Sequence, residues 1–291
     1  MKIKKTILIT GSDGQLGNEI RLLSDSYSNI FNFIFTDVAE LDITDIDMLY
    51  GFFDSNKIDI IVNCAAYTAV DRAEDEVKLC YKINCEAVEN LARLALKYHC
   101  NIIHISTDYV FDGKNFLPYT ETMPVNPNSV YGKSKVAAED ILQKICPAAM
   151  IIRTSWLYSS FGNNFVKTML RLGKERETLN VVCDQIGTPT YAADLAAVIM
   201  KIIDSDKFTA GIFHFSDEGA ISWYDFAKAI HRIAKISTCA ISPIESKDFP
   251  AKAPRPYYSV LNKTKIKQTY NIEIPYWEDS LRFCIEKILE E

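Results

Sequence analysis

The sequence predicts an α/β protein with a doubly wound parallel sheet of the Rossmann type and a smaller, irregular C-terminal lobe. Five short apolar runs alternate with helical patterns over residues 1–155, as in parallel sheets covered by helices. A glycine-rich turn joins the first run to the first helix. Beyond residue 155 the pattern is less regular. We expect residues 187–216 to pack back onto the sheet, and residues 156–186 and 217–291 to form a substrate-binding lobe.

The first strand and the turn after it predict a dinucleotide site. A buried strand over residues 6–10 is followed by glycines at positions 11, 14 and 17, and then by a helical pattern. Glycines permit a tight turn and let the backbone approach a pyrophosphate, while the helix N-terminus offers unpaired N–H groups. Residues 1–155 are therefore predicted to be a dinucleotide-binding domain, whose turn contacts the cofactor through Gly11, Gly14, Gln15, Leu16 and Gly17.

The second apolar run ends at Asp37, twenty residues after Gly17. This is the spacing of the acid that binds the adenosine ribose hydroxyls. A carboxylate repels a 2′-phosphate, and residues 31–53 contain no Lys or Arg to hold one. NADH is therefore predicted as the preferred cofactor over NADPH; the alternative is that Asp37 only ends the strand. Asp42 and Ile43 are expected beside the adenine.

The third strand, over residues 57–63, runs into small residues at its carboxyl end. Ligands of doubly wound sheets sit beyond such ends, so Ala65, Ala66 and Tyr67 are predicted to contact the cofactor. A long helix is expected next, and its apolar face should pack on the sheet. This face contains Ile83, Ala87, Leu91, Leu94 and Ala95.

The fourth strand, over residues 101–106, is predicted to carry cofactor and substrate contacts. Ile105 is placed with the cofactor. Thr107 and Asp108 follow at the carboxyl end, where a hydroxyl can donate to a substrate carbonyl. His104 lies within this strand and is predicted to be a packing residue, as is His214 in a later strand.

Tyr131 and Lys135 form the candidate acid–base pair. A helix is predicted to begin near residue 129, so the two side chains share one of its faces. A phenol has a pKa of about 10, and a neighbouring ammonium lowers it, which suits proton transfer. The pattern alone is weak, since Tyr224 and Lys228 repeat it. Only Tyr131 follows the fourth strand within reach of Thr107, so the later pair is predicted to be an ordinary helix surface pair.

Composition excludes several classes of function. The 291-residue chain has a net charge of −6 and a pI of about 5.4, which argues against a nucleic-acid surface or an anionic membrane surface. Its eight cysteines include no Cys-x-x-Cys pair and are expected to be free thiols in a reducing cytoplasm. The first apolar run is too short for a signal peptide. A cytoplasmic protein without a membrane partner is predicted.

The chain resembles the extended short-chain dehydrogenases/reductases, and within them it is similar to the dTDP-4-dehydrorhamnose reductase family. The matching motifs keep the family's order over nearly the whole chain. The runs Ser-Thr-Asp-Tyr-Val-Phe-Asp-Gly at 106–113, Gly-Asn-Asn-Phe at 162–165 and Arg-Pro-x-x-Ser at 255–259 are more specific than the glycine turn. The other matching stretches are residues 11–17, 63–71, 131–135, 153–156 and 187–190.

The resemblance implies that NADH or NADPH delivers a hydride to C4 of a nucleotide sugar, dTDP-4-dehydro-β-L-rhamnose, giving dTDP-β-L-rhamnose. It assigns proton donation to Tyr131, tuning of that tyrosine and nicotinamide-ribose binding to Lys135, and polarisation of the ketone to Thr107. It also implies that Asp108 contacts the sugar and that Trp156 lines the sugar pocket.

Arg255 is a candidate for the diphosphate end of the substrate, because a guanidinium binds phosphate bidentately; the alternative is a surface residue in a proline-rich loop. Some family members bind magnesium at a dimer interface through carboxylates. Glu19 matches one such position, but the stretch around Asp194 offers a single acid. No metal is therefore predicted, and a monomer or homodimer is expected.

Two other interpretations stay open. The first is another nucleotide-sugar epimerase or dehydratase, although dehydratases often carry Asp-Glu after the catalytic threonine, where this chain has Asp108 and Tyr109. The second is a non-catalytic regulatory subunit resembling the β subunit of methionine adenosyltransferase, since catalytic residues can persist in a binding protein.

Overall fold

The computed structural model describes residues 4–205 and 207–290. Its strands are β1 (Lys5–Thr10), β2 (Phe31–Thr36), β3 (Ile60–Asn63), β4 (Asn101–Thr107), β5 (Met150–Thr154), β6 (Leu157–Tyr158), β7 (Thr178–Val182), β8 (Ile186–Gly187), β9 (Thr190–Tyr191), β10 (Gly211–His214), β11 (Ile221–Ser222) and β12 (Ala240–Ile244). Its α-helices are α1 (Gln15–Tyr27), α2 (Ile46–Ser55), α3 (Val70–Ala73), α4 (Val77–Tyr81), α5 (Ala87–Tyr98), α6 (Val130–Ile145), α7 (Phe165–Glu175), α8 (Ala192–Asp204), α9 (Trp223–Ile233), α10 (Thr264–Tyr270) and α11 (Trp277–Glu290).

The main sheet has six strands in the order β10-β5-β4-β3-β1-β2, and every neighbouring pair is parallel. The chain moves outward from β1 to β2 and then returns to β3 on the other side of β1. The strand order therefore reverses between β1 and β3. A ligand crevice forms at such a switch point, beyond the carboxyl ends of the strands.

Apolar side chains cover both faces of this sheet. Ile7 and Ile9 of β1 belong to a core shared with α1 and α8, whereas Leu8, between them, belongs to a core shared with α2, α5 and α6. The alternation follows from the pleat, which points successive side chains to opposite faces. Because both faces are buried, the strand is a continuous apolar run in the sequence.

A third core holds the less regular part of the chain together around α7, α9 and α11. Phe226 of α9 and Trp277 of α11 are buried there, with ring centroids 5.9 Å apart. Three short strand pairs complete this region: β7 with β12, β8 with β11 and β6 with β9. This region supplies the side chains that face the ends of the main sheet.

The predicted fold class, an α/β protein with a Rossmann-type parallel sheet, is confirmed. The long helix expected after β3 is confirmed over residues 77–98, where α4, a π-helical segment over Lys82–Glu86 and α5 follow one another without a break, and α3 is a separate short helix before it. In the π segment, the side chain of Asn84 hydrogen-bonds the backbone N–H and carbonyl of Tyr67. Such interruptions of the helical ladder often mark functional sites. No sequence pattern predicts β12 or α10, because both are short and largely exposed.

Candidate active site

A cleft runs along the carboxyl ends of β1, β3, β4 and β5. It comprises two adjoining cavities of about 620 and 530 Å³, and Gly11, Gly14, Cys64 and Ala66 line both of them. The first cavity extends toward the loop after β2, and the second toward the loop after β5. Cavities of this size suit a small-molecule or cofactor site.

The turn after β1 requires glycine for two different reasons. Gly11 has a φ of +63°, and a Cβ there would lie 2.6 Å from the backbone of Ala65, so no larger residue fits. A Cβ on Gly17 would lie 2.5 Å from the Cα of Ser12. Gly17 thus seats α1 under the turn and, unlike Gly11 and Gly14, lines neither cavity.

The first cavity brings together most of the residues predicted to hold the adenosine half of a cofactor: Asp37, Asp42, Ile43, Ala65 and Ala66. The carboxylate of Asp37 accepts hydrogen bonds from the N–H groups of Asp13 at 3.0 Å and Val38 at 2.8 Å. Lys82 also lines this cavity. No sequence pattern indicates Lys82, because it approaches from the π segment.

The second cavity brings together most of the other predicted residues: Gln15, Leu16, Ile105, Thr107, Asp108, Tyr131, Lys135 and Trp156. Trp223 lines it as well, although nothing in the sequence singles it out. Tyr67 and Arg255 lie outside the lining of both cavities. The hydroxyl of Tyr67 donates to Glu76 at 2.5 Å, so this side chain points toward the start of α4.

Helix α6 positions the acid–base pair. Ser129 caps the helix, and its Oγ accepts from the N–H of Gly132 at 3.1 Å, a usual N-cap arrangement. A Cβ on Gly132 would lie 2.3 Å from the carbonyl oxygen of Tyr109. This close approach holds the start of α6 against the segment after β4, and so brings Tyr131 beside Thr107.

Tyr131, Thr107 and Asp108 form a buried hydrogen-bonded set. The hydroxyl of Tyr131 bonds to the side chain of Thr107, and Thr107 Oγ1 donates to Asp108 Oδ1 at 3.1 Å. Burial raises the pKa of Tyr131, and the bond to Thr107 opposes this rise. The raised pKa runs against the lowering that the sequence predicts from Lys135, and Lys135 is not among the groups that shift the pKa of Tyr131.

Lys135 is buried beneath the cleft. Its Nζ donates to the carbonyl of Ile105 at 2.7 Å and lies 3.2 Å from His104 Nε2. Burial lowers the pKa of Lys135 to about 8. His104 is buried as predicted, but it also touches the candidate catalytic lysine. His214 is confirmed as a packing residue: its ring is buried, and its Nδ1 hydrogen-bonds a backbone carbonyl.

The wall of the second cavity is a pair of stacked indoles. The rings of Trp156 and Trp223 lie 3.6 Å apart at 11°. Trp156 has a φ of +47°, an uncommon conformation for a bulky residue. A Cβ on Gly187 would lie 2.6 Å from the Trp156 ring, so the indole is held between Gly187 and Trp223. The strained backbone is thus fixed by packing on both sides of the ring.

Arg255 is held away from the cavities by Asp71. Its two terminal nitrogens lie 3.1 and 2.7 Å from the two oxygens of that carboxylate. Asp71 also accepts from the N–H groups of Lys252 and Ala253. The hydrogen bond from Arg255 lowers the pKa of Asp71. This cluster ties the proline-rich loop to α3.

Comparison with known proteins identifies the family. The profile described as RmlD substrate binding domain matches residues 5–290. A dTDP-4-dehydrorhamnose reductase from Aggregatibacter actinomycetemcomitans is 44% identical over 286 residues, which cover 95% of this chain and 97% of that protein. The chain belongs to the dTDP-4-dehydrorhamnose reductase family.

Solved structures of the dTDP-4-dehydrorhamnose reductase family share this fold. The reductase from Clostridium acetobutylicum is 44% identical with a TM-score of 0.92, over 98% of this chain and 99% of that one. The reductase from Bacillus anthracis, solved in complex with NADP, is 38% identical with a TM-score of 0.93, over 98% of this chain and 100% of that one. The family resemblance inferred from the motifs is confirmed.

The family's candidate magnesium position is occupied by protein contacts. Glu19 is buried; it accepts from Ser159 Oγ at 2.6 Å, and Lys287 Nζ lies 3.8 Å away. Asp194 accepts from Ser280 Oγ at 2.5 Å. Over the described ranges, no three His, Cys, Asp or Glu residues cluster as metal ligands would.

Over the same ranges, no helix has the length and apolar character to cross a bilayer.

Asp108 carries a prediction about pH and stability. Its carboxyl group is buried, and burial raises its pKa to about 6 from 3.8, against the opposing hydrogen bonds from Ser259 and Thr107. The pKa of Asp108 is higher in the folded chain than in the unfolded chain, so ionisation of this carboxyl lowers the free energy of unfolding. The loss of stability grows as pH rises from about 4 to 6. We predict that Asp108→Asn raises the free energy of unfolding by about 2 kcal/mol at pH 7.5, with little effect near pH 4.

Urea unfolding at the two pH values measures this difference. Asp112→Asn is the matched control, because backbone hydrogen bonding lowers the pKa of Asp112. Loss of this carboxylate should therefore lower the free energy of unfolding at neutral pH, whereas loss of the Asp108 carboxylate should raise it. An equal effect of Asp108→Asn at both pH values would contradict the prediction.

Proposed function

We propose that this chain reduces the C4 ketone of dTDP-4-dehydro-β-L-rhamnose to the hydroxyl of dTDP-β-L-rhamnose, using a nicotinamide cofactor. The observation that carries the proposal is the convergence of Tyr131, Lys135 and Thr107 in one cavity, which adjoins the glycine turn at the switch point of the sheet. The family membership names the substrate class. The glycine turn and Asp37 suit a dinucleotide.

The bound nicotinamide would supply a hydride to the ketone carbon. Tyr131 donates its phenolic proton to the alkoxide oxygen that forms as the hydride arrives. Thr107 holds the same oxygen through its hydroxyl. Lys135 binds the nicotinamide ribose, and its positive charge stabilises the phenolate left behind.

At the substrate end, we propose that Asp108 contacts sugar hydroxyls and that Trp156, backed by Trp223, packs against the sugar ring. Arg255 is proposed for the diphosphate. This role requires the guanidinium to exchange Asp71 for a phosphate oxygen, since both terminal nitrogens are bonded to that carboxylate.

Cofactor preference is proposed to favour NADH because Asp37 lines the adenosine cavity. Lys82 lines the same cavity and offers a cation that a 2′-phosphate can use once the repulsion is removed. We predict that Asp37→Ser improves the ratio of kcat/KM for NADPH to that for NADH by about tenfold, which corresponds to about 1.4 kcal/mol.

Initial rates with both cofactors measure that ratio. Asp45→Ser is the control, because Asp45 only caps α2, accepting from Met48 N–H, and serine caps equally well. A ratio that is unchanged in Asp37→Ser would remove Asp37 from cofactor selection.

The function itself is tested by NADH absorbance loss with dTDP-4-dehydro-L-rhamnose generated in a coupled assay. Stoichiometric oxidation supports the reductase. A folded, cofactor-binding protein that oxidises no NADH contradicts it and favours the epimerase or the regulatory subunit. Repeating the assay with EDTA tests the prediction of no magnesium, and sedimentation tests the predicted monomer or homodimer.

A further inference from the structure

A buried polar chain lies beneath the candidate catalytic lysine. It runs from Thr10 through Asn63 and His104 to Lys135, and each of these residues is at most 1% exposed. Thr10 Oγ1 donates to Asn63 Oδ1 at 2.7 Å, Asn63 Nδ2 lies 3.0 Å from His104 Nδ1, and His104 Nε2 lies 3.2 Å from Lys135 Nζ. The chain joins β1, β3, β4 and α6.

The backbone fixes which way this chain is polarised. The N–H of Ala65 lies 3.2 Å from Asn63 Oδ1, and because a backbone N–H can only donate, this atom of Asn63 must be the amide oxygen. The amide nitrogen, which also only donates, therefore faces His104 Nδ1. That ring nitrogen must accept, so in the neutral ring the proton is on Nε2.

The resulting tautomer points an N–H at the lysine. An ammonium has three donors and no acceptor, so a protonated Lys135 would face His104 donor to donor. A neutral amine has a lone pair that accepts from Nε2–H. The bond from Nζ to the Ile105 carbonyl is available to both forms and does not discriminate between them.

Other charged and titratable groups around Lys135 act in known directions. Glu139 on the same helix and Cys80 on α4 raise the pKa of Lys135, whereas burial, the largest effect, lowers it. The carboxylate of Glu139 is already bonded to Arg153 and Ser106. Tyr131 lies one turn earlier on the same helix. Burial and the nearby charge of Lys135 both lower the pKa of His104 and so keep its ring neutral.

We propose that His104 is a positioning residue whose tautomer, fixed by Asn63, presents its Nε2–H to Lys135 and thereby eases loss of the ammonium proton, the ammonium being the form that the proposed reaction uses. The inference rests on the proposed reductase only for its effect on rate. There, deprotonation of Lys135 weakens Tyr131 as an acid, so the fall of kcat at alkaline pH reports the pKa of Lys135.

The tautomer is tested without activity by ¹⁵N NMR of the full chain, since long-range couplings distinguish Nδ1–H from Nε2–H in a neutral histidine. The chain has four histidines, and His104→Gln assigns the signal. We expect the Nε2–H form at pH 7.5. The Nδ1–H form or an imidazolium signal would overturn the proposal.

The effect of His104 on the deprotonation of Lys135 is tested by pH profiles of kcat at saturating NADH and substrate. His104→Leu removes the donor, so the alkaline fall should move upward by about one pH unit. Asn63→Leu removes the amide that fixes the tautomer without adding a charge, so Nε2 becomes free to accept from the ammonium, and the fall should move in the same direction. His104→Gln keeps an N–H at the Nε2 position. Its alkaline fall should therefore stay at the pH of the wild type, and its kcat should exceed that of His104→Leu and approach the wild-type value.

A purely structural role for His104 would lower kcat in the leucine variant without moving the profile, and that outcome overturns the proposal. If His104→Leu does not fold, Asn63→Leu and His104→Gln still decide it, because they must differ in the position of the alkaline fall. If the wild type oxidises no NADH, the proposed function fails, while the NMR result still tests the tautomer.

Discussion

Tyr131→Phe is expected to lower kcat for ketone reduction by about 10³-fold, within the range for loss of a general acid. The phenol is hydrogen-bonded to Thr107, the side chain proposed to hold the reacting oxygen, so the variant loses its proton source. Phenylalanine keeps the ring and its edge-on contact with Tyr109, at 5.6 Å between centroids, so folding and cofactor affinity should be preserved. NADH oxidation and cofactor titration measure the two effects separately.

The matched control is Tyr224→Phe, since Tyr224 and Lys228 have the same spacing on α9. Tyr224 lies outside the lining of both cavities, so kcat should stay within about twofold of the wild type, because no proton transfer is removed. Equal activity of Tyr131→Phe and the wild type would keep the reductase but reject Tyr131 as the proton donor.

Arg153→Met is expected to cost about 3–5 kcal/mol of unfolding free energy, the range for breaking a buried ion pair from one side. Arg153 and Glu139 are almost fully buried, and the guanidinium binds both carboxylate oxygens. Removing the cation leaves a buried carboxylate whose remaining partner is Ser106, at 2.5 Å. Urea unfolding measures the loss.

Two further variants make this prediction sharper. Arg93→Met removes one partner of an exposed pair, Arg93 with Glu89, and should change stability by less than about 1 kcal/mol. Combining Arg153→Met with Glu139→Leu removes both buried charges and should recover much of the loss. If the double variant is less stable than Arg153→Met by the whole change in unfolding free energy that Glu139→Leu causes alone, the two side chains act independently and the prediction is wrong.

Chain order predicts the parts of the site that are local in sequence. The glycine turn, Asp37, Thr107 and the pair on α6 each follow a strand or begin a helix, so the parallel sheet gathers them at one edge. The same reasoning favours Tyr131 over Tyr224, and of these two only Tyr131 lines the cleft.

Residues from distant segments cannot be predicted in the same way. Trp223 meets Trp156 because α9 is part of the third core, and Lys82 reaches the first cavity through a π segment that no periodicity signals. His104 packs in the strand as its apolar neighbours predict, but that pattern does not reveal the polar contact on its buried face. Arg255 is predicted at the diphosphate, yet its ion pair with Asp71 joins the proline-rich loop to α3, and these two segments are far apart in the chain.

The position of β10 has a consequence for synthesis on the ribosome. The strand borders β5 in the main sheet, and α8, just before it, covers the β1 face through Leu195 and Ile199. A nascent chain that ends at residue 155 would expose the open edge of β5 and this uncovered apolar face, both of which favour aggregation. The main sheet therefore completes only when about three-quarters of the chain has emerged, and chaperone protection is most needed during that interval.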